Sequence, residues 1–152
     1  MFAVVRIRST AGARREIGDA LKMLRLNDVN SCVLIPETQD YKGMATKVRE
    51  FVTWGEIEKN VLAKMLEKRL KLVGDKKIDG KTLKELTKFD NFDNLADALI
   101  SGKVKLKDFK NITPVLRLTP PSKGFKSTKE HYPIGDLGYR GKEINELIER
   151  MI

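Results

Sequence analysis

The amino-acid sequence predicts a mixed α+β domain, with helices inserted between the strands of a small sheet. Three observations carry this expectation. Short runs rich in β-branched and aromatic residues, at 2–8, 32–35 and 51–54, are the strand candidates. Between and after them, apolar residues recur at i, i+3, i+4 and i+7, the spacing of one helix face. Turn formers stand at the joints: Gly12, Asn27 and Asn30, Pro36, Gly55 and Gly74. The order is strand, helix, strand, helix, strand, helix. A length of 152 residues suits one compact domain, or a domain with an appended lobe.

The first strand, residues 2–8, has two unlike faces. Ala3, Val5 and Ile7 are apolar throughout. Phe2, Val4, Arg6 and Arg8 turn basic toward the C-terminal end, so one sheet face should meet a core and the other should be partly open. Residues 13–26 read as an amphipathic helix with Ile17, Ala20, Leu21 and Leu24 buried. On a helical wheel Arg14, Arg15, Lys22 and Arg25 fall in one arc of about 100°. Cys32 to Ile35 is a second strand, ended by Pro36, which has no amide donor. Thr38 stands at a helix N-cap, and Tyr41, Met44, Ala45 and Val48 make one helix face. Gly43 costs that helix about 1 kcal/mol relative to alanine, so it implies either close helix–sheet packing or close approach of a partner. Residues 51–54 form a third strand, closed by Gly55.

Residues 56–73 read as a long helix that buries Ile57, Val61, Leu62, Met65, Leu66 and Leu70. The lysine-rich stretch 75–111 reads as a helical insertion lobe, with short helical patches at 82–87 and 95–100. Phe89, Phe92, Leu95, Leu99, Val104, Leu106 and Phe109 would give it a small core of its own, packed on the main domain. A late strand at 113–118 is stopped by Pro120 and Pro121. Residues 122–140 hold Gly124, Gly135 and Gly138 with little apolar periodicity, and read as a basic loop mobile in the free protein. Ile144, Leu147, Ile148 and Met151 make the apolar face of a docking helix at 142–152. The expected organisation is therefore a 1–74 core with its following helix, a 75–111 insertion, and a 112–152 segment packed on the core.

Thirty Lys and Arg against 21 Asp and Glu leave a net charge of +9. A globular chain this basic usually meets a polyanion, most often nucleic acid. Cys32 is the only cysteine, so no intrachain disulfide can form, and with no signal peptide the expected location is a reducing cytoplasm. Catalytic material is sparse. His131 is the only histidine, and Cys32 opens a buried strand, where cysteine acts as a small hydrophobe. One His and one Cys are too few for a metal site. No Gly-rich phosphate loop of the GxxxxGK[ST] or GxGxxG kind occurs. The expectation is a protein that is not an enzyme and uses no cofactor or metal. What remains is basic residues interleaved with aromatics: Lys123, Gly124, Phe125, Lys126, Lys129, His131, Tyr132, Tyr139 and Arg140. Lysine and arginine reach phosphates, and aromatic rings offer faces to unstacked bases.

Five segments in order, FAVVRIRS, LKMLRLNDVNSCVLIPET, YKGMATKVREFVTWGEI, LRLTPPSKGF and IGDLGYRGKEINELIERM, resemble the large-subunit ribosomal protein L-thirty family. The middle lobe and C-terminal segment are similar to the archaeal type, which is close to eukaryotic L-seven. The resemblance implies a small antiparallel sheet in a βαβαβ, ferredoxin-like core. It implies a structural constituent of the large ribosomal subunit that binds and stabilises rRNA, near 5S rRNA and other large-subunit proteins. Carried over by position, it points to Arg8, Arg14, Arg15, Lys42, Gly43, Lys123, Gly124, Phe125 and Arg140 as rRNA contacts. The basic residues Arg6, Arg25, Arg117, Lys126 and Lys129 complete the expected set. The competing readings are a small enzyme acting on a phosphorylated substrate through Lys42 or His131, and a DNA-binding module. The first lacks convergent polar residues, and the second lacks a recognition helix or dimer seam.

Overall fold

The computed structural model describes residues 1–78, 80–87, 89, 91–109 and 111–152. Among these residues five strands form one sheet: β1 (Phe2–Arg6), β2 (Ser31–Ile35), β3 (Val52–Glu56), β4 (Val115–Arg117) and β5 (Gly138–Tyr139). The order is β4-β2-β1-β3-β5. β1 is central and antiparallel to both neighbours, with Val4 opposite Val33 on one side and Trp54 on the other. β4 runs antiparallel to β2, and β5 runs parallel to β3. α1 (Arg15–Met23) links β1 to β2, and α2 (Gln39–Lys47) links β2 to β3. α3 (Lys59–Arg69), α4 (Gly80–Thr87) and α5 (Phe92–Ile100) precede β4, and α6 (Ile144–Met151) follows β5. This is the α+β architecture that the strand and helix patterns predict, with the ferredoxin-like core that the family resemblance implies.

Helices cover both faces of the sheet. Ala3, Val5 and Cys32 pack with Leu62 and Leu66 of α3, Leu95 and Leu99 of α5, and Ile144 and Ile148 of α6. Phe2, Val4 and Val33 pack with Leu21 of α1 and Ala45 of α2. The face expected to be partly open is therefore closed. Its apolar half, Phe2 and Val4, meets the stripes of α1 and α2, and burying each large side chain favours that closure by about 1.5–3 kcal/mol.

Arg6, at the end of the same face, is buried as well. Its Nε donates to Arg8 O at 2.9 Å and its Nη1 to Leu26 O at 2.9 Å, with a further bond to Asn27 O. The strand period marks an arginine as solvent-facing, but a guanidinium with five donors can be buried where loop carbonyls converge on it. Burial lowers its pKa, and nearby Asp28 opposes the shift.

The insertion shares the main core. Leu83, Leu95, Ala96, Leu99 and Leu106 belong to the apolar cluster that holds α3 and α6, and Phe89, Phe92 and Phe109 lean on it half-buried. Too few apolar residues were available for an independent core. Asp90, in the acidic and amide-rich stretch before α5, lies outside the described residues.

Two contacts lock α6 to the sheet. A Cβ on Gly55 would lie 1.9 Å from Gly141 O, so only glycine lets the chain before α6 approach β3. Buried Asn145 of α6 accepts from Glu58 N at 2.9 Å and donates to Glu56 O at 3.0 Å. Its side chain thereby satisfies an amide at the start of α3.

Candidate nucleic-acid interface

The expected arc of charge on the first helix breaks up in the structure. α1 is shorter than its apolar pattern suggests. Arg14 is its extended N-cap residue, with ψ of 146°, and Arg25 lies past its C-terminus. Only Arg15 and Lys22 keep wheel positions, and Asp19 sits between them at 3.8 and 3.9 Å. Arg14 and Arg15 bring positive charge to the positive end of the helix dipole, an arrangement the isolated helix disfavours. At the other end the chain closes a Schellman cap. Leu26 N donates to Leu21 O at 2.9 Å, and Arg25 N donates to Lys22 O at 2.9 Å. Arg25 holds the left-handed position of that cap, with φ of 60°, where glycine is the usual residue. Its exposed side chain makes no ion pair or hydrogen bond among the described residues. It borders an apolar groove of about 330 Å³ that Lys105 and Lys107 also line. Sequence reading missed both lysines as neighbours of Arg25, since nothing local links residues so far apart in the chain.

Arg8 follows β1 and is exposed, with its guanidinium 5.4 Å from the Phe51 ring centroid and one bond to Glu50 O at 3.3 Å. Lys42 is half-buried on α2. Its Nζ contacts Glu37 Oε1 at 3.0 Å and lies 5.3 Å from the Phe2 ring centroid. The Lys42 hydrogen bond holds the Glu37 carboxyl below its ordinary pKa. Gly43 is exposed, and a Cβ there would meet nothing within 4 Å. This removes close helix–sheet packing as the reason for that glycine. Arg117 is exposed on edge strand β4, with Asp28 3.9 Å away. Exposed pairs of this kind contribute about 0–1 kcal/mol, so the arginine is readily given up to another anion.

The loop expected to be mobile is folded. Arg140 and Asp136 form a buried ion pair at 2.6 Å, and the second Asp136 oxygen accepts the Lys126 N–H. Leu137 is buried, and Arg140 N donates to Trp54 O at 3.0 Å, tying the segment to β3. Composition hides this because one charged pair and one leucine replace an apolar stripe. Phe125 packs half-buried against the core, so its ring anchors the loop. Arg140 turns inward likewise. Lys123, Lys126 and Lys129 stay exposed. Gly124 N donates to Pro121 O at 2.9 Å, and this turn places Lys123 at φ of 68° and Gly124 at φ of 72°. Lys123 and Lys126 line a concavity of about 370 Å³ with Phe125, Tyr132, Arg140 and Arg150, and with the acids Glu143 and Glu146.

Among the described residues, five other than glycine have positive φ: Arg25, Asn30, Asp75, Asn111 and Lys123. Asn and Asp tolerate that region well. Arg25 and Lys123 have no such local compensation, and both present their charge outward. Strained positions of this kind tend to mark functional sites.

Burial pushes the Cys32 thiol up to about 12, which keeps it protonated and unreactive. Among the described residues no group of three His, Cys, Asp or Glu could hold a metal ion. No helix among them is long and apolar enough to cross a membrane.

The family model described as Ribosomal protein L30p/L7e matches residues 2–52, the span from β1 to the start of β3. Similarity to curated proteins extends over the whole chain. Large ribosomal subunit protein uL30 of Archaeoglobus fulgidus is 46% identical over 151 residues, covering 99% of each chain. That of Methanocorpusculum labreanum is 43% identical over 152 residues, again 99% of each. That of Thermoplasma volcanium is 44% identical over 153 residues, covering 100% of this chain and 93% of its own.

The chain belongs to the uL30 family of large ribosomal subunit proteins. The resemblance read from the five sequence segments is met across the full length, and these relatives are archaeal. In this uL30 member the expected contact residues do not form one cluster. α1 separates Arg14 and Arg15 from Arg25 by about 15 Å at 1.5 Å per residue. Arg6 and Arg140 hold the fold from inside it.

Proposed function

We propose that this uL30 chain is a structural, non-catalytic constituent of the large subunit that binds and stabilises rRNA through exposed cations at several points. The observation that carries the reading is the pair Arg25 and Lys123. Each holds a long cationic side chain on a left-handed backbone, exposed and without a partner among the described residues. A fold selected for stability alone would place glycine there. Arg14 and Arg15 repeat the pattern at the wrong end of a helix dipole. Arg8, Lys42, Gly43, Arg117, Gly124, Lys126 and Lys129 belong to the same proposed surface. Phe125, Arg6 and Arg140 support it from within. The family resemblance adds 5S rRNA and other large-subunit proteins as neighbours, and cytoplasmic ribosomes as the setting.

The test is binding of the purified protein to deproteinised large-subunit rRNA across a salt series. Counterion release requires log affinity to fall linearly with log salt, with a slope set by the number of phosphate contacts. Lys123→Ala combined with Lys126→Ala should reduce that slope by about two contacts' worth while the melting temperature holds. A salt-independent affinity would overturn the proposal. Loss of melting temperature equal to the loss of binding would make the loop lysines structural.

A further inference from the structure

The chain has two well-exposed tyrosines, Tyr132 at 40% and Tyr139 at 52%, in opposite surroundings. Tyr139 lies against Phe2 and Trp54, with ring centroids 6.5 and 6.2 Å away. Its hydroxyl donates to Glu56 Oε1 at 2.6 Å, and Glu56 and Glu37 raise its pKa. Its hydroxyl is thus committed to a carboxylate, and its ring is packed against two aromatic neighbours. Tyr132 instead lies against a guanidinium. The Arg140 guanidinium carbon sits 5.4 Å from its ring centroid. Lys123, Lys126 and Arg150 line the concavity beside it, together with Glu143 and Glu146; Lys126 Nζ donates to Pro133 O at 3.3 Å, and exposed Lys129, Glu130 and His131 precede the ring in the chain.

The support beneath Tyr132 is rigid. Arg140 is 8% exposed and pinned through Asp136, whose oxygens also hold the Lys126 amide. The turn carrying the ring is closed by Gly135 N to His131 O and Tyr132 N to Leu137 O, both at 2.9 Å. A Cβ on Gly135 would lie 2.2 Å from Glu130 O, so the turn depends on glycine. The Tyr132 hydroxyl makes no hydrogen bond among the described residues. A half-exposed ring, held against a fixed guanidinium and sharing a concavity with exposed Lys123 and Lys126, has the components of a base-stacking platform.

We infer that Tyr132 stacks on one unstacked nucleobase of single-stranded rRNA, with Lys126 and Lys129 contacting the flanking phosphates and Arg140 as the positioning residue. This rests on the rRNA-binding reading and names the element of RNA that the loop takes. Stacking tolerates any base, because each has a π-face, so the platform recognises an extruded nucleotide by its unstacked state and not by its sequence. The buried Arg140–Asp136 pair then has a purpose beyond folding the loop. It holds the ring in place before RNA arrives, so little ordering remains to be done on binding.

The experiment uses large subunits reconstituted with wild-type protein or with Tyr132→Phe, Tyr132→Leu or Tyr139→Leu. Short-wavelength ultraviolet light joins stacked rings to bases, and nuclease and trypsin digestion leaves the adduct on the peptide of residues 130–140. The expected result is a nucleotide adduct at Tyr132 that survives Tyr132→Phe and Tyr139→Leu and disappears in Tyr132→Leu. In parallel, Tyr132→Leu should weaken binding to deproteinised rRNA by about tenfold or more with an unchanged salt slope and melting temperature, because no charge is lost. An adduct at Tyr139, a crosslink from Tyr132 to a protein, or full affinity in Tyr132→Leu would overturn the platform. If the wild-type protein showed no salt-dependent rRNA binding, the underlying reading would fail instead.

Discussion

Arg25→Gly should make the free protein more stable and its rRNA binding weaker. The backbone at Arg25 has φ of 60° and closes the Schellman cap of α1 through bonds of 2.9 Å. An L-residue in this region costs about 1–2 kcal/mol, which glycine avoids. Glycine's larger entropy loss on folding returns about 0.5–1 kcal/mol of that. The net expectation is stabilisation by about 0.5–1 kcal/mol, or about 2 °C in melting temperature for a chain of this size. The side chain has no ion pair among the described residues, so little else is lost. On rRNA the variant loses one cation, and its salt slope should become shallower by about 0.7–0.9. Arg25→Ala is the control. It keeps the strained backbone and loses the charge, so binding should fall equally while stability does not rise. Thermal melts and a salt series on the same three proteins give both readouts. A glycine variant less stable than wild type would refute the strain argument. A more stable variant with unaltered salt slope would show that Arg25 does not meet phosphate.

Gly43→Ala should stabilise α2 by about 1 kcal/mol, since alanine is the better helix former and the added methyl meets no atom within 4 Å. If rRNA lies against that face its affinity falls, and an unchanged affinity would take Gly43 out of the interface. Gly55→Ala should cost about 3 kcal/mol, because the new methyl would sit 1.9 Å from the Gly141 carbonyl oxygen, a backbone atom that cannot rotate away. A denaturation midpoint close to wild type would mean that the chain before α6 is free to shift. The buried Cys32 thiol, with its pKa raised to about 12, adds a pH dependence in the alkaline range. Its folded-state pKa lies above the unfolded value of about 8.5, so its contribution is intact below that pH and declines as pH rises toward the folded value. Cys32→Ala should flatten the stability profile between about pH 8.5 and the folded value of about 12, and native protein should resist alkylation at pH 8.5. Rapid labelling without unfolding would contradict the burial.

Much of the fold could be read locally because helices and strands record their own periods. Val5 and Cys32 announce a strand face, and Ile144, Leu147, Ile148 and Met151 announce a helix stripe, without knowledge of any partner. Segment order was likewise in the chain itself and carried the resemblance to the L-thirty family before any side chain was placed, while the charge pointed only to a polyanion. Expectations failed where a residue's setting depends on groups far away in sequence. Arg6 looks solvent-facing by strand alternation, yet carbonyls at residues 26 and 27 draw it inward. The wheel of the first helix assumed a regular backbone through Arg14 and Arg25, but the helix had already ended at both.

The sequence alone therefore determined the kinds of element, their order and the strongly basic balance of the chain, since each depends on neighbours within a few residues or on a sum over the whole chain. The tertiary structure decided which cations remain at the surface. Arg140 is spent on Asp136 inside the loop, while Lys123 and Arg25 stay outside on strained backbones. That division depends on burial and on partners brought together by the sheet, and a guanidinium carries no local sign of whether it will meet a carboxylate of its own chain or a phosphate of another.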